Sequence, residues 1–374
     1  MADFLYIHIP FCIRKCIYCD FTSIPYDPAL VERYGDALCA ELLLNKDLAG
    51  ELKTVYIGGG TPSLMQEDFF EKLFCRIRDV FTISTSAEIT IEANPGTISG
   101  SKIKTLLSLG VNRVSIGVQS LHDEELRTLG RVHTSADAER SVMTVKDQGL
   151  DNISLDLMYG IPGQTLETWG DTLKKTAYLA PSHISAYELT PEEKTPLSGL
   201  LKTGKLILPD EGLVLEMYDC VIDSLASNGY EHYEVSNFAR PGLKCRHNIN
   251  YWDRGEYIAV GTGAHSFLRG VRAKNTSDVG AYIERLEGGI PPVVESGRVT
   301  HKEGMREFMF LGLRKREGIK LKDCELGEAC VAAAAGDLID RGYLEIVSDR
   351  LRLTRKGVVL SNSVLVSLFE QLHL

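Results

Sequence analysis

The stretch PFCIRKCIYC, residues 10–19, places three cysteines, Cys12, Cys16 and Cys19, within eight residues. A structural zinc site usually has four ligands and pairs one C-x2-C motif with another, but no second C-x2-C motif follows. Most electron-transfer iron–sulfur clusters use four cysteines, so three cysteines predict a cluster in which one iron is open to an external ligand. Zinc with a distant fourth ligand and three incidental thiols remain the alternatives.

Composition and charge limit the classes of protein that fit. The chain has 374 residues, of which 44% are hydrophobic and 25% charged, which suits an α/β barrel with a smaller domain. A formal net charge of −10 disfavours nonspecific binding to nucleic acid, so we expect no nucleic-acid partner. No apolar run reaches the roughly 18–20 residues of a membrane span. With nine cysteines, an odd number, and no secretory signal, we expect a reducing, cytoplasmic location.

Short β-branched runs alternate with amphipathic segments from the N-terminus onward. This rhythm predicts βα units and a parallel sheet, and runs that are apolar on both faces indicate buried strands. Six units are fewer than the eight of a closed barrel, so we predict an α/β fold with an open, partial, six-stranded βα barrel. The predicted strands are FLYIHI (4–9), TVYIGGG (54–60), EITIEAN (88–94), RVSIGVQS (113–120), NISLDLMYG (152–160) and HISAYEL (183–189), and the predicted helices lie at 29–45, 66–80, 100–109, 135–148 and 165–179.

The pattern changes after about residue 205. A predicted helix at 211–228 leads to one further strand within 230–239 and then to a segment rich in glycine and aromatic residues. Two helical stretches, 302–314 and 329–342, precede a hairpin-like segment at 343–357, which is typical of a winged-helix module. We therefore predict a barrel domain at 1–205, a connecting segment at 206–295 and a C-terminal α+β, winged-helix-like domain at 296–374.

The spacing C-x3-C-x2-C, with Tyr18 before the last cysteine, resembles the signature of the radical S-adenosylmethionine (SAM) superfamily. The run GGGTP (58–62) is similar to that family's glycine motif at the end of its second strand. The resemblance implies a [4Fe–4S] cluster on Cys12, Cys16 and Cys19, with SAM chelating the open iron through its amino and carboxylate groups. It also implies that an electron from the cluster can cleave SAM to a 5′-deoxyadenosyl radical.

Further motifs narrow the resemblance to the HemN/HemW branch of this superfamily, which contains oxygen-independent coproporphyrinogen III oxidase and heme chaperones. They are YIHIPFC, GGGTP, IEANPGT, SIGVQS, LGR and DLMYGIPGQT, and they cover roughly residues 4–270. Glycines there let a ligand approach the backbone, a strand-end carboxylate can accept hydrogen bonds from ribose hydroxyls, and an arginine can pair with the methionine carboxylate of SAM. The residues that the resemblance places against SAM are Tyr6, Tyr18, Gly59, Gly60, Thr61, Glu92, Gln119, Arg131 and Asp156.

Two departures separate the chain from the oxidase. The oxidase has a cysteine two residues after its third ligand, where this chain has Phe21, and only eleven residues precede Cys12. The run HNINYW (247–252) is similar to a motif associated with heme binding in the chaperones. Histidine is a common axial ligand of heme iron, so the resemblance implies that His247 contacts heme. Cys245 and His265 are further candidates nearby.

Two function hypotheses follow. The first is a heme chaperone that binds heme, a [4Fe–4S] cluster and SAM and passes heme to an acceptor hemoprotein such as a respiratory enzyme. The second is an enzyme, either coproporphyrinogen III oxidase or another radical SAM enzyme acting on a tetrapyrrole. Both leave open a homodimer and peripheral membrane association through the acceptor.

Overall fold

The computed structural model describes residues 1–374 and contains one large sheet, two three-stranded sheets and one two-stranded pair. The strands are β1 (Ala2–Ile9), β2 (Phe11–Cys12), β3 (Ile24–Pro25), β4 (Ala49–Gly59), β5 (Ile83–Ala93), β6 (Arg113–Gln119), β7 (Ile153–Tyr159), β8 (His183–Glu188), β9 (Glu231–Glu234), β10 (Asn237–Ala239), β11 (Ile258–Val260), β12 (His265–Leu268), β13 (Val271–Asn275), β14 (Val293–Arg298), β15 (Ile319–Lys320), β16 (Leu344–Val347) and β17 (Arg350–Leu353).

Fourteen α-helices connect and cover these strands. They are α1 (Pro28–Leu44), α2 (Glu67–Val80), α3 (Gly100–Ser108), α4 (Asp123–Thr128), α5 (Ser135–Asp147), α6 (Leu166–Leu179), α7 (Pro196–Lys202), α8 (Glu211–Ser227), α9 (Arg246–Trp252), α10 (Val279–Glu287), α11 (His301–Gly312), α12 (Glu328–Asp340), α13 (Arg355–Val359) and α14 (Ser361–Gln371).

The large sheet is open and runs in the order β11-β1-β4-β5-β6-β7-β8-β10-β9. Its strands from β11 to β8 are parallel, and β10 and β9 continue it antiparallel at one edge. Right-handed helical crossovers are the usual way to connect neighbouring parallel strands, and α1, α2, α3, α5 and α6 occupy those positions here. The predicted α/β fold with an open, partial barrel is confirmed.

The sheet has nine strands: the six predicted for the barrel, two short strands, β9 and β10, where one further strand was predicted within 230–239, and β11, which was not predicted. The extra strands, β9, β10 and β11, contain only three or four residues each and lie within the segment 206–295, where the βα rhythm is absent. Strands this short are too brief to show an alternating hydrophobic pattern in the sequence. The strand β11 is part of the sheet because it pairs with β1, with Leu5 opposite Ile258. The predicted domain boundaries themselves stay a prediction.

Local sequence sets where the helices begin. The Asp27 side chain accepts hydrogen bonds from the backbone at the start of α1, which has Pro28 at its first position. Thr134 and Thr165 form capping boxes at the starts of α5 and α6. The Thr165 cap follows the loop after β7, and the Thr134 cap follows α4, the short helix between β6 and α5. Each cap therefore fixes where the covering helix begins.

The C-terminal residues form the predicted helices and hairpin. Here α11 and α12 flank the short strand β15, and the antiparallel pair β16 and β17 forms the wing, with β17 central in a three-stranded sheet. Arg355 of α13 pairs with Asp219 and Asp223 of α8 and so joins this region to a helix that packs on the barrel. No helix is long and apolar enough to cross a lipid bilayer.

Candidate functional site

A deep cleft opens at the carboxyl ends of the parallel strands, where the active sites of βα barrels form. It contains about 1280 Å³ of empty space, including its open mouth. Eleven of the thirteen residues predicted from the sequence line it, whereas Tyr6 and His247 do not. The eleven are Cys12, Cys16, Cys19, Tyr18, Gly59, Gly60, Thr61, Glu92, Gln119, Arg131 and Asp156.

The three cysteines lie half-buried along one wall of the cleft, on the loop that follows β1. The Thr61 hydroxyl donates to the Cys12 sulfur at 3.6 Å, and Arg131 Nη1 donates to the Cys16 sulfur at 3.4 Å. Burial raises the pKa of Cys12, and the bond from Thr61 acts to lower it. The wall therefore offers three thiols with a donor to each of two sulfurs.

This donor set fits an iron–sulfur cluster. No three His, Cys, Asp or Glu side chains anywhere in the chain converge closely enough to hold a single metal ion. Cluster cysteines bind separate irons and need not converge on one point. The cationic Arg131 beside Cys16 also suits a cluster, because thiolates and bridging sulfides carry negative charge. When bound, such a cluster would supply an open iron and an electron.

The glycine motif packs directly against the cysteine loop. Gly60 N–H donates to the Ile9 carbonyl at 2.7 Å, and Thr61 N–H donates to the Phe11 carbonyl at 2.8 Å. A Cβ on Gly60 would lie 2.8 Å from the Phe11 carbonyl oxygen and 3.0 Å from the Cys12 sulfur. The cysteine loop itself therefore leaves no room for a side chain at residue 60. This is a second reason for glycine there, besides close approach of a ligand to the backbone.

Glu92 is held at the end of β5 by two donors. Its carboxylate accepts from the Tyr56 hydroxyl at 2.8 Å and from Gly59 N–H at 3.0 Å. Burial raises the pKa of Glu92 to about 7, the nearby charge of Asp156 acts in the same direction, and the bond from Tyr56 acts to lower it. Glu92 can thus be neutral or ionised near neutral pH, and it lines the cleft.

Arg131 crosses the cleft wall and connects three strand ends to the cysteine loop. Its Nη2 donates to Asn94 Oδ1 and to the Gly117 carbonyl, each at 2.7 Å. Asn94 Nδ2 in turn donates to Thr61 Oγ1 at 2.8 Å. A continuous hydrogen-bonded chain therefore joins Arg131, Asn94 and Thr61 to the sulfurs of Cys12 and Cys16.

Asp156 lies deeper in the cleft, on β7. It accepts from the Ser115 hydroxyl at 3.1 Å, and burial raises its pKa. Gln119 lies at the end of β6 with a positive φ of 65°, a backbone conformation that few non-glycine residues adopt. That conformation coincides with a register shift between β6 and β7 at this point.

Tyr6 and His247 lie together beneath the cleft and inside the barrel. The Tyr6 hydroxyl bonds to His8 Nδ1 at 3.1 Å, and the Tyr6 ring stacks on Tyr56. Burial and the charge of Glu92 raise the pKa of Tyr6 above its ordinary value. Tyr6 is therefore one layer below the groups that line the cleft.

His247 is 1% exposed, and both of its ring nitrogens already have partners. Nδ1 bonds to Thr54 Oγ1 at 2.6 Å, and Nε2 bonds to the Tyr251 hydroxyl at 2.9 Å. Burial lowers the pKa of His247 to about 3, and the charge of Arg113 adds to the effect, so the ring is neutral. Ligation of heme iron by His247 would require one of these bonds to open, and the assignment stays a prediction.

The short helix α9 carries the HNINYW motif and closes the barrel beneath the cleft. Glu88 of β5 accepts hydrogen bonds from the backbone N–H groups of Arg246 and His247 at 3.1 and 3.2 Å. The neighbouring residue, Asn248, lines the cleft itself. The motif therefore presents Asn248 to the cleft and directs His247 into the barrel interior.

Sequence reasoning missed several residues that line the cleft. Period-two alternation could have found most of them, because residues i and i+2 of a strand share a face. Arg113, Ser115, Gly117 and Gln119 alternate along β6 in this way, and Asn94 follows Glu92 by two residues. The others with this signal are Tyr56 on β4, Met158 on β7 and the β8 pair Ser185 and Tyr187.

Comparison with known proteins gives matches over the whole chain. The radical SAM superfamily profile matches residues 6–176, and the HemN C-terminal domain profile matches residues 299–360. The chain is 37% identical to the heme chaperone HemW of Bacillus subtilis, over 96% of this chain and 97% of that protein. It is 34% identical to the heme chaperone HemW of Escherichia coli, over 96% of each chain.

A solved structure supports the fold independently. The structure of coproporphyrinogen III oxidase (HemN) from Escherichia coli, described as a radical SAM enzyme, has a TM-score of 0.84 to this chain. It covers 98% of this chain and 90% of that one at 22% identity. At this identity the likeness shows a shared fold.

Proposed function

The chain belongs to the HemW family of the radical SAM superfamily, and on that basis we propose that it is a heme chaperone. It binds heme, a [4Fe–4S] cluster and SAM, and it passes heme to an acceptor hemoprotein. The observation that carries the proposal is the similarity to proteins named heme chaperone, at 34–37% identity over 96% of this chain. A match of that extent includes the cleft, α9 and the C-terminal region together.

The cleft provides a place for each of the first two cofactors. Cys12, Cys16 and Cys19 would hold the cluster on one wall, and the residues at the strand ends would hold SAM. Arg131 is placed to pair with the methionine carboxylate of SAM, because it already contacts Cys16 beside the cluster. Glu92 lines the cleft, and each carboxylate oxygen, which can accept more than one hydrogen bond, would accept from the ribose hydroxyls.

The remaining SAM contacts follow the same arrangement. The backbone of Gly59, Gly60 and Thr61 borders the cluster wall, and Tyr18 flanks it. Gln119, at the end of β6, and Asp156, within β7, also line the cleft. Tyr6 supports the site from the layer below through His8 and Tyr56.

Phe21 distinguishes the chaperone from the oxidase at the mouth of this cleft. Its side chain is 62% exposed and lines the cleft where the oxidase pattern has a cysteine. A phenyl ring cannot transfer a proton or a hydrogen atom as a thiol can, but it can pack against the face of a porphyrin. This substitution favours binding of a tetrapyrrole without its oxidation.

The competing function is oxidation of coproporphyrinogen III, and the HemN-like fold is the observation in its favour. The test reconstitutes the cluster anaerobically and supplies heme or coproporphyrinogen III in separate reactions. The chaperone proposal predicts a Soret shift with about one heme per chain and no protoporphyrinogen IX. Formation of protoporphyrinogen IX with consumption of SAM would establish the oxidase instead.

Transfer of heme needs its own measurement. Heme-loaded protein is incubated with the apo form of a respiratory hemoprotein from the same organism, and heme is followed in both after separation. The proposal predicts movement of heme to the acceptor faster than release into buffer, and equal rates would contradict it. We also propose a cytoplasmic location, and homodimer formation and membrane association through the acceptor stay predictions.

A further inference from the structure

Arg113, the first residue of β6, lines the floor of the cleft although it is only 2% exposed. Its Nε and Nη1 atoms are buried, and no protein atom accepts a hydrogen bond from either of them. A guanidinium carries five N–H donors and stays charged. Burial of such a group without acceptors is unfavourable, because water is removed and nothing replaces it.

The acidic groups near Arg113 already serve other donors. Glu88 accepts from the N-terminus of α9, Glu92 from Tyr56 and Gly59, and Asp156 from Ser115. Arg131, a second buried arginine that lines the cleft, contrasts with it because Nη1 and Nη2 of Arg131 donate to a sulfur, a side-chain amide and a backbone carbonyl, and only its Nε lacks a partner. Of these two buried arginines, Arg113 therefore has the larger number of guanidinium nitrogens without an acceptor.

The two arginines serve different parts of the cleft. Arg131 donates to the Gly117 carbonyl near the cysteine wall. Arg113 begins the same strand four residues earlier, about 13 Å away along the backbone at about 3.3 Å per residue. Arg113 therefore enters the cleft from the start of β6, whereas Arg131 contacts that strand near its end.

We propose that Arg113 binds a carboxylate of the ligand that occupies the cleft floor, through the paired donors of its guanidinium. A guanidinium matches a carboxylate in geometry as well as charge. This inference rests on the proposed function, in which that ligand is heme and the carboxylate is a propionate. Asn248, which belongs to the HNINYW motif, lines the same cleft and offers an amide there.

The test compares heme with its dimethyl ester, which keeps the ring and the iron but lacks both charged propionates. Each is titrated into the wild type, Arg113→Met and Arg113→Lys, all with reconstituted cluster, and affinity is read from the Soret band. Met keeps an unbranched apolar side chain but lacks the guanidinium and its charge. Arg316→Met, in a residue outside the cleft, controls for loss of a partly buried arginine.

In the wild type, heme is expected to bind at least about ten-fold more tightly than its ester, the usual effect of a buried hydrogen bond to a charged group. Arg113→Met should weaken heme by a similar factor and leave the ester unchanged, whereas Arg113→Lys should recover part of the difference. SAM affinity should be the same in all variants.

Three results would overturn the inference. If the wild type binds heme and its ester equally, Arg113 does not recognise a propionate, although the proposed function stands. If Arg113→Met weakens SAM and leaves heme unaffected, the carboxylate belongs to SAM. If the wild type shows no Soret shift with either compound, the proposed function fails and the propionate assignment fails with it.

Discussion

Gly60→Ala adds one methyl group at the point where the glycine motif meets the cysteine loop. The new Cβ would lie 2.8 Å from the Phe11 carbonyl oxygen, 2.9 Å from the Pro10 carbonyl carbon and 3.0 Å from the Cys12 sulfur. Two of these three atoms belong to backbone, which cannot rotate away as a flexible side chain could. The substitution therefore pushes the segment that carries Cys12.

The magnitude follows from how firmly that segment is held. The Phe11 and Ile9 carbonyls accept hydrogen bonds from Thr61 and Gly60, so the loop must retreat by about 0.5 Å against two bonds to restore ordinary contact. Overpacking of this kind destabilises by about 1–3 kcal/mol. If the strain falls on the cluster-bound state, this energy corresponds to about 5- to 150-fold weaker retention of iron.

The assay measures iron and acid-labile sulfide after anaerobic reconstitution, and then the rate at which a chelator removes the visible absorbance. Gly170→Ala is the matched control, because Gly170 lies inside α6 with no atom within 4 Å of the added Cβ. The control should retain its iron and gain up to about 1 kcal/mol of helix stability. Normal cluster retention in Gly60→Ala would refute the claim that the loop and the glycine motif form one rigid wall.

Three further substitutions test other parts of the site. As the pH rises from about 4 to about 8, the stability of Glu92→Gln relative to wild type should increase by about 3 kcal/mol. The cause is that the carboxyl ionises from about pH 4.5 in the unfolded chain, whereas in the folded chain it resists ionisation up to about pH 7. Urea unfolding that shows the same difference in free energy at every pH would argue against this. His247→Ala should lower the free energy of unfolding by about 2–4 kcal/mol, because the hydroxyls of Thr54 and Tyr251 lose their hydrogen-bond partner. If the variant keeps its stability but heme no longer shows a shifted Soret band with it, heme ligation by His247 would be favoured instead. Cys16→Ala should abolish the broad visible absorbance and the bound iron, and an unchanged iron content would eliminate the cluster from the account.

The six buried strands could be predicted from sequence because each is an apolar, β-branched run of six or more residues followed by a helical segment. The strand β11 could not, because Ile258–Val260 is only three residues long and owes its conformation to pairing with β1. Its place in the sheet is a long-range effect, which local patterns do not encode.

The site shows the same division between local and long-range information. Cys12, Cys16 and Cys19 are close in sequence, so their shared wall was predictable from spacing alone. The position of His247 was not, because it depends on α9 docking against Thr54 of β4 and Glu88 of β5. The motif HNINYW indicates chemistry by its residue types, but only the docked helix determines which side chain faces the cleft.

Arg113 illustrates a third case, in which the pattern was present and was not used. It belongs to the alternating face of β6 that ends at Gln119, so its direction into the barrel followed from the period of a strand. Its lack of partners could not be read from sequence, since that depends on which donors the nearby carboxylates already serve.

The most direct test of the central claim, that one cleft holds both cluster and heme, is an iron anomalous-difference map of crystals grown anaerobically with cluster, SAM and heme. The account predicts a four-iron peak bounded by Cys12, Cys16 and Cys19 and a separate single-iron peak within the same cleft, with propionate density at Arg113. A heme iron peak outside the cleft, or no iron at the three cysteines, would contradict it.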